Sequence, residues 1–228
     1  MLPVVFPDGT EAELVYPEEL DIARLGVQPY SSGELQGKSP NSLRGDAVGR
    51  DFWIFHGELA DVLVEVNNGH TPRRLAEYRG ADGRAVGLWK IRDDFPHLGF
   101  QFGAWAVLVY DYTDAGAMTD AERASWAASF SGHEAGDGFL LLEGSGPLRL
   151  ARAGEHAGPA LELGNPGGTG FTLFPGSCRR QTDRSAGFAS WCLSPLMDVH
   201  ATGSDAFVGA LLRELEVKDV RLSHRQAE

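Results

Sequence analysis

A Trp-led apolar strand that leads into a capped helix and then a second strand occurs twice in this chain. No other feature limits the fold as much. The first copy reads Ala104-Trp105-Ala106-Val107-Leu108-Val109-Tyr110, then Thr119-Asp120, then Phe139-Leu140-Leu141-Leu142. The second reads Ser190-Trp191-Cys192-Leu193, then Met197-Asp198-Val199-His200, then Ser204-Asp205, then Val217 to Leu222. A nearly continuous apolar run such as Trp105 to Tyr110 marks a strand covered on both faces. Thr119 and Glu122 have capping-box spacing, in which each side chain satisfies a backbone N–H of the first turn. That predicts a helix over about 119–131. Ser204 is placed as an N-cap, and Phe207, Val208, Leu211, Leu212 and Leu215 form one apolar stripe, which predicts a helix over about 204–216. The likeness of the two copies suggests pseudo-duplicated strand–helix–strand units, with the loop His133 to Asp137 inserted in the first.

Turn chemistry orders the rest. Val4 to Phe6 and Ala12 to Tyr16 flank Pro7-Asp8-Gly9 as a hairpin. Phe52 to Phe55 and Val62 to Val66 read as paired strands. Residues 71–80 read as a strand turning at Ala81-Asp82-Gly83 into Val86 to Ile91, in preference to a short helix opened by Pro72. Phe139 to Leu142 and Leu148 to Ala151 read as another hairpin. Ala160 to Leu163, Phe171 to Phe174 and Phe188 to Leu193 are further strands. Residues 29–50, rich in Ser and Gly, read as a long loop. Strands joined by tight turns pair antiparallel. The expected fold is α+β: a mostly antiparallel sheet with two main helices packed on one face, in one domain over 1–228. An alternative division gives halves 1–103 and 104–222, with a frayed tail at 223–228.

Composition removes several classes of function. The formal net charge is -12, which disfavours nucleic acid and anionic membranes as partners and favours a basic one. Arg far outnumbers Lys, as in proteins of GC-rich bacterial genomes. Met1 to Phe6 is followed at once by Pro7-Asp8-Gly9, which does not read as a signal peptide, so a cytoplasmic location is expected. In that setting Cys178 and Cys192 are expected to be reduced thiols, although they could face each other across a hairpin.

No motif specifies a reaction. Gly164 to Gly170 lacks the Lys and the following helix of a phosphate loop. His56 with Glu58, and His133-Glu134 with Asp137, do not match metal-ligand spacing, so neither a metal nor another cofactor is expected. The weak catalytic candidates are Asp111 and Asp114, at the end of an apolar strand and before a helix, and His133. They would suit a small hydrolase or lyase.

Phe95-Pro96-His97-Leu98-Gly99-Phe100-Gln101-Phe102 is dense in aromatics and irregular, and reads as an exposed binding surface carried by Phe95, His97, Phe100 and Phe102. The reading that follows is a non-enzymatic acidic protein of inhibitor, immunity-like or regulatory type whose partner is another protein.

Overall fold

The computed structural model describes residues 1–20, 30–38, 47–91, 95–113, 116–136, 138–155, 158–164, 168–176, 178 and 182–223. The described residues form a mostly antiparallel, sheet-rich fold with three helices. They divide into two compact units, one of residues 1–32 and 152–228, the other of residues 33–151.

The first unit opens with a hairpin of β1 (Leu2–Val5) and β2 (Glu11–Val15), turned at Asp8 and Gly9 as expected. A single 3-10 turn, Glu18–Leu20, follows. β3 (Tyr30–Lys38) contains the boundary between the units.

In the second unit the chain continues through β4 (Ala47–His56), α1 (Leu59–Val66), β5 (Arg73–Arg79) and β6 (Ala85–Ile91). Next come β7 (Phe95–Phe102), β8 (Trp105–Tyr110), and the two-residue strands β9 (Tyr112–Thr113) and β10 (Gly116–Ala117). α2 (Asp120–Ser129), β11 (Phe130–Glu134), β12 (Leu140–Gly144) and β13 (Leu148–Leu150) complete it. Its main sheet has the order β3-β4-β8-β7-β6-β5, with β13 also on β3.

The chain then returns to the first unit as β14 (Ala160–Gly164), β15 (Gly170–Pro175), β16 (Asp183–Ser185), β17 (Phe188–Ser194) and β18 (Met197–Thr202). α3 (Asp205–Glu214) and β19 (Glu216–Arg221) end it. β16 to β18, β15 and β14 are neighbours in that order, and β19 joins the N-terminal hairpin through β2. α3 lies against β17 and β18.

Both expected helices form. Thr119 and Glu122 make the capping box of α2, and the Ser204 hydroxyl accepts the Phe207 N–H at the start of α3. The strands over 73–79 and 85–91 form as the preferred reading had them.

Four expectations need correction. Val62 to Val66 is helical in α1. Leu59, Val62, Leu63 and Val66 share one stripe, which packs against Ile91, Ala106 and Leu108. The modest helix penalty of three valines is outweighed by that burial. The span read as a loop over 29–50 carries β3 and the start of β4; residues 29 and 39–46 lie outside the described ones. β3 has weak strand propensity, but neighbouring strands supply its hydrogen-bond partners. β12 pairs with β11 and β13 with β3, so the expected hairpin between them is replaced by other partners. Cys178 and Cys192 are not free thiols: they form a disulfide, with Cα atoms 5.6 Å apart.

β7 is the inner strand that positions the candidate site. It lies between β6 and β8. Side chains alternate across a strand. Leu98, Phe100 and Phe102 therefore enter the core with Phe52, Val107 and Phe130, while Phe95, His97 and Gln101 meet the opposite face.

Candidate functional site

Gln101 anchors α1 on that opposite face. Its amide oxygen accepts the Leu59 N–H at 2.6 Å, at the start of a helix whose N-cap, Glu58, makes no side-chain cap. Its amide nitrogen donates to the carbonyls of Gly57 (3.2 Å) and Gly103 (2.8 Å). Gly99 sits beneath α1: a Cβ there would lie 3.1 Å from a Leu59 methyl. α1 thus covers one part of the face.

Elsewhere on this face the rings form a cluster. His97 on β7 is cross-strand from Tyr110 on β8, with ring centroids 5.0 Å apart. Trp53 on β4 lies 5.6 Å from His97 and 6.2 Å from Tyr110. Phe95 meets Tyr110 edge-on at 5.4 Å and Tyr112 at 4.8 Å. These separations are those of favourable aromatic pairs. Trp53 and Tyr112 remain 40% and 41% exposed, a large apolar area left in water. Asp51, exposed and two residues before Trp53 on β4, lies on the same side of the strand.

His97 lies inside the cluster, 5% exposed. Its Nδ1 is 3.1 Å from the Phe95 carbonyl. A carbonyl only accepts, so Nδ1 carries the proton and Nε2 presents a lone pair. Nε2 is buried without a hydrogen-bond partner among the described residues. Burial pushes the imidazole down to about 4, against a smaller upward effect of the Phe95 carbonyl. The ring is therefore neutral near pH 7.

The catalytic candidates are placed differently. Asp111 follows β8 and is 0% exposed. Arg123 on α2 grips both its oxygens, Nε to Oδ1 at 3.1 Å and Nη2 to Oδ2 at 2.8 Å. Arg123 also reaches Asp120 at 2.9 Å, and Tyr78 donates to the same Asp120 oxygen. The hydrogen bond to Asp111 is the first cause that raises the Arg123 pKa. The buried Arg50 donates to the Asp111 carbonyl at 2.6 Å, and its guanidinium lies 5.7 Å from the Trp126 ring centroid. Asp111 thus ties the start of α2 to the sheet and presents no free oxygen to solvent. His133 is exposed on β11 opposite Leu141. Asp114 and Asp137 lie outside the described residues.

Of the four expected binding residues, Phe95 and His97 join the ring cluster. Phe100 and Phe102 do not form the exposed surface expected of them; both pack against Phe130 in the core, at 4.9 and 5.7 Å. Sequence reasoning missed Trp53, Tyr110 and Tyr112. A signal for Trp53 was present: with Phe52 and Ile54 in the core, alternation sends Trp53 to the other face.

Among the described residues no group of three or more His, Cys, Asp and Glu side chains is placed to hold a metal ion. No described helix is long and apolar enough to cross a membrane. No family model, curated protein or solved structure matches the chain.

Proposed function

We propose that this chain is a non-enzymatic protein-binding protein of inhibitor or regulatory type, and that Trp53, Tyr110, Tyr112 and Phe95 form its contact surface for a basic partner. The observation that carries the reading is the exposure of Trp53 and Tyr112 at the edge of an otherwise packed ring cluster. Tyr and Trp are the residues that most often dominate binding energy at protein interfaces. The faces of their rings attract an Arg or Lys side chain. Asp51 beside Trp53 adds a carboxylate, and the net charge of -12 steers a cationic partner toward the protein. His97, neutral in its buried position, adds no opposing charge.

Isothermal titration with an Arg- and Lys-rich peptide and with an acidic peptide of equal length tests this. The basic peptide should bind, and Trp53→Ala with Tyr112→Ala should weaken it roughly 30-fold or more, the loss of about 2 kcal/mol typical of a hot spot. Equal binding of both peptides, or an unchanged affinity in the double variant, would refute the reading.

A further inference from the structure

We propose that the Cys178–Cys192 bond is a permanent part of the working protein and that the chain acts in an oxidising compartment outside the cytoplasm. This replaces the cytoplasmic location suggested by the sequence, and it stands independently of the aromatic surface.

The backbone delivers the two cysteines to each other. β15 ends at Pro175, and Gly176 then adopts φ 140, a region that favours glycine. A Cβ on Gly176 would stand 2.4 Å from the Gly154 backbone nitrogen. The Gly176 N–H donates to the Leu196 carbonyl and the Cys178 N–H to the Pro195 carbonyl, both at 3.0 Å. These bonds hold Cys178 beside the turn between β17 and β18. Cys192 comes from β17, where the register shifts between Cys192 and Ser194. The Cα separation of 5.6 Å is within the normal range for a disulfide. The bond therefore staples a segment that the backbone has already turned into place.

The chain has two cysteines in all, separated by 14 positions. There is no third thiol to resolve an exchange and no Cys-x-x-Cys, the arrangement of redox catalysts. Both cysteines are partly exposed, and cytosolic thiol pools keep such pairs reduced. A staple of this kind persists where the surroundings oxidise it. Its formation needs a disulfide oxidant of the dithiol–disulfide oxidoreductase class. One cysteine thiolate attacks the oxidant's disulfide to give a mixed disulfide and release one oxidant thiolate. The second cysteine thiolate then displaces the other. The protein loses two electrons and two protons, and the oxidant leaves as a dithiol.

The test is thiol trapping in the source cell: acid quenching, alkylation with a maleimide, then fractionation. The expected result is a chain outside the cytoplasmic membrane with no labelled thiol before reduction and two after it. A chain with two labelled thiols in any fraction, or a bonded chain confined to the cytosol, overturns the proposal. A second measurement uses purified protein. Dithiothreitol should lower Tm by roughly 5–10 °C, and the Cys178→Ser, Cys192→Ser double variant should show the lower Tm with or without reductant. A wild-type Tm unmoved by reductant overturns the permanent structural role.

Discussion

Arg123 grips both carboxylate oxygens of Asp111, at 3.1 and 2.8 Å, and so fastens the first turn of α2 to the end of β8. Asp111 is fully buried, whereas the Arg123 side chain keeps 15% of its exposure. Asp111→Asn removes the buried carboxylate and one of the two acceptor oxygens, while Arg123 keeps its ion pair with Asp120 at 2.9 Å. The substitution should therefore cost about 1–3 kcal/mol, the range for losing a charge-assisted hydrogen bond in a buried site, seen as a lower urea midpoint with an unchanged slope. If Asp111→Asn leaves stability intact, Asp111 is not the structural tie described here.

His97 makes the stability of the second unit depend on pH. Its pKa is about 4 when folded and close to 6.5 when unfolded. Above pH 6.5 both states are neutral and the group contributes no pH dependence. As the pH falls from 6.5 toward 4, the unfolded chain takes up a proton that the folded chain refuses, so stability drops. The loss attributable to His97 should reach on the order of 3 kcal/mol. Subtracting the pH profile of His97→Asn from that of wild type isolates it. A flat difference between pH 7 and 4 would contradict the buried neutral imidazole.

The capping box of α2 supplies a smaller test. The Thr119 hydroxyl accepts the Glu122 N–H at 3.3 Å, and the Glu122 carboxylate accepts the Thr119 N–H at 2.7 Å. Thr119→Ala should destabilise by about 1 kcal/mol. Thr119→Ser keeps the hydroxyl and should recover most of it. Equal losses in the two variants would show that the threonine methyl, not the cap, matters.

Much of the fold was legible because local signals agreed with tertiary demands. Asp8-Gly9 gave a hairpin, Thr119 and Ser204 gave helix starts, and the run from Trp105 to Tyr110 gave an inner strand. The signals failed where partners override propensity. β3 is a strand through its pairing with β4, β13 and β14, which no local composition announces. α1 was hidden by its valines, although Leu59, Val62, Leu63 and Val66 have helical spacing. The candidate site was half legible for the same reason. The aromatic density around Phe95 was visible, but the face each ring occupies depends on the register of β7 against β8. Trp53, Tyr110 and Tyr112 come from other segments and are gathered by the sheet. Asp111 read as a candidate acid because its position at a strand end was visible, while Arg123, which takes up both its oxygens, comes from the helix beyond it.

The central claim is that Trp53 sits at the contact surface for a basic partner. The most direct measurement is heteronuclear NMR of the 15N-labelled protein titrated with an Arg- and Lys-rich peptide. The chain has five tryptophans, and each contributes one indole N–H signal that can be followed separately. The account predicts a saturable shift of the Trp53 indole and the Tyr110 and Tyr112 amides, while the buried Trp105, Trp126 and Trp191 stay in place. It also predicts that Trp53→Leu removes saturation while the fold is kept. Saturable shifts confined to another surface, or a Trp53 signal unmoved at peptide excess, would contradict it.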